Sequence, residues 1–390
     1  MIELSETQKA IVETVRDFVN NEVVPVAEEL EHRDEFPEDI YQGMKDMGLF
    51  GLTIPEEFGG VGESLVTYAL TVVELARGWM SLSGILNTHF MGCYLLMRFG
   101  TDEQKKRLLP PMATGEVRAA LAMSEPEAGS DVQAIRTKAV RDGDTFVVNG
   151  QKMWLTNGLR AGIVMTLVKT DPDADPPHKG MSMLVVEKTP GDPKPAPGLD
   201  CGKNIAKMGY KGIETIEMTF DDYRAPVTCL LGTEEGQGFR QVLDAIEVGR
   251  VNVAARAVGV ATRAFEEAIR YAQQRKAFGK PIAAHQAIQI HLAEMATTLE
   301  AAKLMLYSAA TSKSKGERSD LEAGMAKLFA SEACHDIVLK SLRVHGGYGY
   351  SKEFTIERLY RDAPFLLIGE GTSEILKTVI ARRLLERHKM

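Results

Sequence analysis

The sequence predicts a mainly helical chain with a β domain in its middle. Residues up to about 119 repeat their apolar positions with a helical period, and residues 120–229 break into short β-branched runs between Gly-containing turn pairs. After Gly238 the helical period returns and holds to the end. Helices on both sides of a block of strands exclude the alternation of doubly wound and βα-barrel folds. A length of 390 residues accommodates two or three domains with cores of their own.

Ser5-Glu6-Thr7-Gln8 is a capping box opening a first helix, on which Ile11, Val15, Phe18, Val19 and Val26 fall near one face. Pro37 suits a first turn and Gly48 a helix end. Ser64 suits a start before Leu70, Val73 and Ala76, and Thr101-Asp102-Glu103-Gln104 is a second capping box. Four or five helices fit before Gly115. Gly78 to Met97 carries no formal charge and is long enough to span a bilayer, but Ser81, Ser83, Asn87, Thr88 and His89 interrupt it. A buried helix is expected there.

Asp142-Gly143, Asn149-Gly150 and Asn157-Gly158 are hairpin signals about one short strand apart. They divide candidate strands at Thr145 to Val148, Gln151 to Thr156, Ile163 to Val168, Met181 to Glu187 and Glu214 to Phe220, which suggest a small antiparallel barrel or sandwich. Loops at 171–180 and 190–198 are Pro-rich. Long helical segments then run to about Gln274, from about Ala284 to Ser314, and from Ser319 to about Arg343, and read as a bundle. Ser319-Asp320-Leu321-Glu322 reads as the cap of the third. Gly346-Gly347-Tyr348-Gly349 marks a tight loop, and a last helix runs from about Thr372 to His388.

The composition, 44% hydrophobic and 26% charged, is that of a globular chain. Its 46 Lys and Arg against 54 Asp and Glu leave a net charge of −8, which argues against a nucleic-acid-coating surface. Four scattered cysteines without a C-x-x-C pair suggest neither a disulfide framework nor a zinc ribbon, and fit a reducing compartment. No signal-peptide pattern opens the chain, so cytoplasm is the expected location. Nucleotide-binding glycine signatures, H-E-x-x-H and G-x-S-x-G are all missing. Asp171-Pro172-Asp173-Ala174-Asp175 imitates a calcium loop but lacks its Gly and closing Glu. It reads as a solvated loop, and no metal is expected.

Three places carry possible chemistry. Ala122 to Asp131 leaves a strand through small residues that could offer N–H groups and hydroxyls to a phosphate-bearing ligand, or form an ordinary turn. Trp154 and Thr156 share one strand face and could place an indole and a hydroxyl against a flat ring, or simply half-bury a core Trp. Glu370 stands between Gly369 and Gly371, before a helix and after apolar Phe365-Leu366-Leu367-Ile368. A helix N-terminus favours its charged form and an apolar pocket its neutral form, the balance a base near neutral pH needs; it could equally stabilise the helix dipole.

Together these pieces resemble the acyl-CoA dehydrogenase family over nearly the whole chain. Ala122 to Ala134, with Ser124-Glu125-Pro126 and Gly129-Ser130-Asp131, matches its first signature, and Gln151 to Gly158 its flavin-facing strand. Arg275-Lys276-Ala277-Phe278-Gly279-Lys280-Pro281 and His285-Gln286 match the stretch that holds FAD across subunits. Gly346 to Tyr350, Glu357-Arg358 and Tyr360-Arg361-Asp362 look like the second signature, followed by Glu370-Gly371-Thr372-Ser373.

The resemblance implies an N-terminal helical domain (1–119), a middle β-barrel (120–229) and a C-terminal four-helix bundle (230–390), assembled as a homotetramer or a dimer. It implies FAD, with Met123, Ser124, Trp154 and Thr156 against the flavin ring and Ser130 between flavin and thioester. Arg275, Phe278, His285, Gln286, Arg343, Gly347, Thr372 and Glu374 would hold the rest of FAD. Ser130, Glu247, Arg250 and Gly371 would border the substrate. The implied reaction is α,β-dehydrogenation of an acyl-CoA, with Glu370 as base and electron-transfer flavoprotein as acceptor.

Some family members carry the base just before the Arg that matches Arg250. Here that position is Gly249, which cannot act as one. Arg343 and Glu374 stand where relatives have Gln, and Gly369 where many have Tyr, which would widen the acyl pocket unless Phe365 or Leu367 repacks. The rivals are an acyl-CoA oxidase, which is typically longer, and a non-catalytic acyl-CoA-binding or DNA-associated relative. Glu370 and the net charge of −8 disfavour the DNA-associated form.

Overall fold

The computed structural model describes residues 4–315 and 319–389. Its first part holds six α-helices where four or five are expected: α1 Glu6–Phe18, α2 Ala27–Arg33, α3 Glu38–Asp46, α4 Leu65–Gly78, α5 Met80–Phe99 and α6 Asp102–Ala113. Both capping boxes form, with Ser5 and Thr101 side chains accepting from the backbone of Gln8 and Gln104. The uncharged stretch is helix α5 and is buried along nearly its whole length. Among the described residues, no helix is long and apolar enough to cross a membrane.

Seven strands follow: β1 Ala119–Ala122, β2 Lys138–Asp142, β3 Thr145–Thr156, β4 Ile163–Lys169, β5 Met181–Glu187, β6 Leu199–Cys201 and β7 Thr215–Pro226. They form one sheet in the order β1-β4-β2-β3-β7-β6, with β5 on β4. The pairing is mixed, because β1 and β2 run parallel to β4 while β4 and β5, β2 and β3, and β3 and β7 are antiparallel. Of the three turn pairs only Asp142-Gly143 makes a hairpin, with Asp142 opposite Thr145.

Asn149-Gly150 lies inside the continuous strand β3. A Cβ on Gly150 would stand 2.6 Å from the Cα of Thr137, so this glycine serves close strand approach and not a turn. Asn157, at φ 62°, turns the chain out of β3 toward β4, which is not its neighbour.

The C-terminal part holds α7 Gly238–Gln274, a hairpin of β8 Lys276–Ala277 and β9 Lys280–Pro281, α8 Gln286–Ser314, α9 Asp320–His345, α10 Thr355–Ile368 and α11 Ser373–Arg387. Helix α10 was not expected as a separate element; Pro364 lies inside it. The expected cap at Ser319 does not form: its hydroxyl is buried without a partner, and Asp320 pairs with Arg383. The strands enclose their own apolar core, including Phe146, Leu155, Val164, Ile216 and Phe220. The N-terminal helices and the bundle instead share a single core running from Val15 and Trp79 through Val251 and Ile337 to Leu366. The first and last thirds of the chain therefore stand or fall together. Arg361 ties them further, its guanidinium bridging Glu31 on α2 and Glu357 on α10.

Candidate active site

Gly369 caps the C-terminus of α10 and Thr372 the N-terminus of α11, the Thr372 hydroxyl accepting from the Ile375 N–H. Between them Glu370 sits at φ 55° and Gly371 at φ 100°, so a non-glycine residue is held in the left-handed region. Such a conformation persists only where the surroundings over-determine it. Here Lys327 of α9, fully buried, donates to the Gly371 carbonyl at 2.7 Å.

The Glu370 carboxylate points into the seam between α5 and α7. Its Oε1 accepts from Asn87 Nδ2, and its Oε2 is buried without a partner. A Cβ on Gly249 would lie 1.9 Å from Oε2, with Met91 Sδ next at 3.1 Å. The position where, by the resemblance, some relatives carry a base is therefore the floor on which the Glu370 carboxylate rests. Burial raises the Glu370 pKa, opposed by the charge of Arg256, the Asn87 hydrogen bond and the charges of Lys327 and Arg250. A desolvated carboxylate with one tethered oxygen and one free oxygen can accept a proton from a carbon acid placed beside it.

The expected flavin-side residues form one group. Met123 and Ser124 follow β1, and the Ser124 carbonyl accepts from Met153 N–H at 2.9 Å, which joins this turn to β3. The adjoining Glu125 is a structural anchor: it accepts from the N–H groups of Arg136 and Thr137 and from the buried Lys152 Nζ at 2.8 Å. Ser130 is exposed. Trp154 lies where β3 bulges, at φ 66° with 58% of its surface exposed, and Thr156 is half-buried beside the Tyr210 hydroxyl. Both flank the buried Leu155, at a place where the bulge and the left-handed Trp154 interrupt the regular alternation of the strand.

A second group lies at the α7–α8 junction. Arg275 stands over the Tyr348 ring at 5.6 Å, next to Gly347, and His285 meets Phe278 edge-on and the Ala277 carbonyl at 3.1 Å. Phe278 is 95% exposed at φ 51°. Arg275, Gln286, Arg343, Gly347 and Glu374 are exposed. Among the described residues, no hydrogen bond or ring contact links this group to the first. On the substrate side, Arg250 is buried with its Nε unpartnered, while Glu247 is held by Lys313 at 2.9 Å. Gly369 does not leave open volume: a Cβ there would be 2.8 Å from Phe365 Cζ, so the Phe365 ring already fills that space.

Sequence reasoning missed Asn87, Lys327, Arg256, Asn252 and Tyr210. Asn87 was visible only as one of the polar residues interrupting α5. Asn252 and Arg256 repeat at one and two helical turns from Gly249, a stripe with meaning only once Gly249 is known to face the site.

Comparison with known proteins gives the family of the chain. Family models for the acyl-CoA dehydrogenase N-terminal, middle and C-terminal domains match residues 5–116, 120–223 and 236–385. An acyl-CoA dehydrogenase of Bacillus subtilis is 40% identical over 383 residues, covering 98% of this chain and 99% of its own. A (2S)-methylsuccinyl-CoA dehydrogenase of Cereibacter sphaeroides is 40% identical over 387 residues, 98% of this chain and 70% of its own. The structure of butyryl-CoA dehydrogenase from Megasphaera elsdenii superposes with a TM-score of 0.94 at 32% identity, covering 99% of this chain and all of the other. With three domains matched in order and relatives aligned almost end to end, the chain belongs to the acyl-CoA dehydrogenase family of oxidoreductases.

Proposed function

We propose that the chain dehydrogenates an acyl-CoA thioester to its trans-2-enoyl-CoA, with Glu370 removing the α-proton. The observation that carries this reading is the Glu370 carboxylate, buried, anchored by Asn87 on one oxygen and open on the other. Burial makes it a stronger base than a solvated Glu, while the Asn87 donor and the nearby cations oppose that rise. The resemblance implies that the Glu370 N–H, set in this left-handed turn, donates to the thioester carbonyl. Arg250, a buried guanidinium with a free Nε, borders the same space.

The residues present fit FAD. Exposed Trp154 offers a flat indole, Ser124, Ser130 and Thr156 offer hydroxyls, and Arg275 offers an exposed guanidinium for a pyrophosphate. Gly129, Gly279, Gly346 and Gly347 have no atom within 4 Å of where a Cβ would stand, so backbone there is open to a ligand. FAD, when bound, supplies the acceptor for the hydride leaving the β-carbon. Phe278 and Tyr350, 95% and 89% exposed, are large rings that a lone chain leaves in water, and they support cofactor closure by a neighbouring copy in a homotetramer or dimer. Electron-transfer flavoprotein is the proposed acceptor. Four free, buried cysteines support a reducing, cytoplasmic setting.

The test is anaerobic flavin bleaching by acyl-CoA in the parent and in Glu370→Gln. The parent bleaches and is reoxidised by dye or electron-transfer flavoprotein. Glu370→Gln stays yellow and folded while turnover falls at least about a thousandfold. Full activity in that variant sinks the mechanism, rapid peroxide in the parent indicates an oxidase, and no bleaching with any thioester indicates a binding protein.

A further inference from the structure

Helices α5 and α7 face each other across the Glu370 carboxylate with two matched stripes. On α5 these are Gly84, Asn87 and Met91; on α7 they are Gly249, Asn252 and Arg256, each set spaced i, i+3, i+7. Met91 meets Gly249, Asn87 meets Glu370, and Gly84 meets the Tyr210 hydroxyl, which would lie 1.8 Å from a Cβ there. The Tyr210 hydroxyl in turn accepts from Arg256 Nη1 at 3.1 Å, and Arg256 Nε donates to Asn252 Oδ1 at 2.6 Å. Phe365 stacks on Tyr210 with ring centroids 4.5 Å apart. On this side the Glu370 carboxylate is thus surrounded by amide, hydroxyl and guanidinium groups, where a fatty chain would need hydrocarbon.

Arg256 is 1% exposed, and both of its hydrogen-bond partners are neutral. Its Nη2 makes no protein hydrogen bond among the described residues. The Glu370 carboxylate faces its charge without a hydrogen bond to it, so the fork keeps a donor that a second carboxylate could take. Helical side chains lean toward the N-terminus, so this group lies back toward Asn252, about one turn or roughly 5 Å from the level of Gly249 and the base. A short run of carbons spans that gap.

Resting on the dehydrogenase reading, we propose that Arg256, oriented by Tyr210 and Asn252, is a subsite for a carboxylate at the far end of a short acyl group, so that the preferred substrate is the CoA half-thioester of a short dicarboxylic acid. The carboxylate would take the free Nη2 and complete the fork that Tyr210 and Asn252 hold in place. Asn87 keeps the catalytic carboxylate turned toward α5, away from the incoming anion.

The test compares glutaryl-CoA with pentanoyl-CoA, matched in carbon number and differing at the tail. In the holoenzyme, kcat/KM for glutaryl-CoA should exceed that for pentanoyl-CoA at least tenfold. Equilibrium binding to Glu370→Gln holoprotein should show the same preference without turnover. Arg256→Gln should collapse the glutaryl-to-pentanoyl ratio in both measurements, and Arg256→Lys should restore part of it, which shows that a charge at this place and not the fold is being read. Pentanoyl-CoA binding as well as glutaryl-CoA overturns the proposal. So does an Arg256→Gln variant that weakens both thioesters alike. Absence of turnover with either thioester would count against the dehydrogenase reading, while the binding preference would still decide the subsite.

Discussion

Replacing Lys327 by Met separates two roles that the structure gives this side chain. Lys327 is fully buried, donates to the Gly371 carbonyl at 2.7 Å, and has its pKa drawn down from 10.5 to about 8, chiefly by burial, with the Glu370 charge opposing. In the unfolded chain it keeps its ordinary affinity for the proton. Between pH 8 and 10.5 the unfolded state therefore binds more protons, and stability rises with pH across that window. A lowering of 2.5 units at about 1.4 kcal/mol each amounts to about 3 kcal/mol, present as a cost at pH 7 and gone above pH 10.5. Lys327→Met lacks this titration. It leaves the Gly371 carbonyl unpaired, which costs about 1–3 kcal/mol and offsets most of the relief at pH 7. Urea unfolding of both holoproteins at pH 7.5, 9 and 10.5 reads the effect, since the pair differs only at this residue and at the neighbours its charge touches, Glu370 first. The parent should gain about 3 kcal/mol on the variant over that range. A difference flat to within about 1 kcal/mol would show that Lys327 titrates normally in the folded protein and would remove its place in the support of Glu370.

Other outcomes follow from the same geometry. Asn87→Leu takes away the donor to Oε1, and since that bond favours the charged form its loss raises the Glu370 pKa. The acid limb of kcat/KM against pH should then move to higher pH by about one to two units, from the worth of a hydrogen bond to a charge. Gly249→Ala puts a methyl where Oε2 now stands, 1.9 Å away, with no backbone atom among its nearest neighbours. The flexible carboxylate yields, so Tm should shift by only a few degrees while turnover falls about a hundredfold from misplacement of the base.

How far the sequence could be read depended on whether a residue's purpose was local. The capping boxes at Ser5 and Thr101 formed because their partners lie three residues away, and Glu370 stood out because its own neighbours are glycines. Asn149-Gly150 misled because one glycine signal has two physical origins: Gly143, at φ 63°, turns the chain, whereas Gly150 makes room for Thr137. Helix α10 hid behind Pro364, which ordinarily ends a helix. Arg256 and Lys327 were invisible for a different reason. Each is an ordinary cation in an Ala-rich helical stretch, and only the packing of α7 and α9 against the Glu370 turn gives them a task.

The site is built largely by leaving side chains out. Gly249 gives the Glu370 carboxylate its resting place, Gly84 admits the Tyr210 hydroxyl, and Gly369 admits the Phe365 ring; a Cβ at any of these would meet the incoming group at 2.8 Å or less. The hosts lie on α7, α5 and the α10–α11 link, and the guests come from the 365–370 stretch and from the β domain. In a core packed as densely as an organic crystal, such cut-outs exist only where the partner also arrives. Tyr210 is delivered by the β domain, its N–H held at 2.7 Å by Asp362 of α10, while Arg361 beside it is clamped to Glu31 of α2. The Glu370 carboxylate, its tethering amide and the guanidinium opposite therefore take their places only when all three segments have docked. A substitution that loosens that docking, at Asp362 or Glu31, should lower turnover well before it unfolds the chain, because the cut-outs lose definition ahead of the surrounding core.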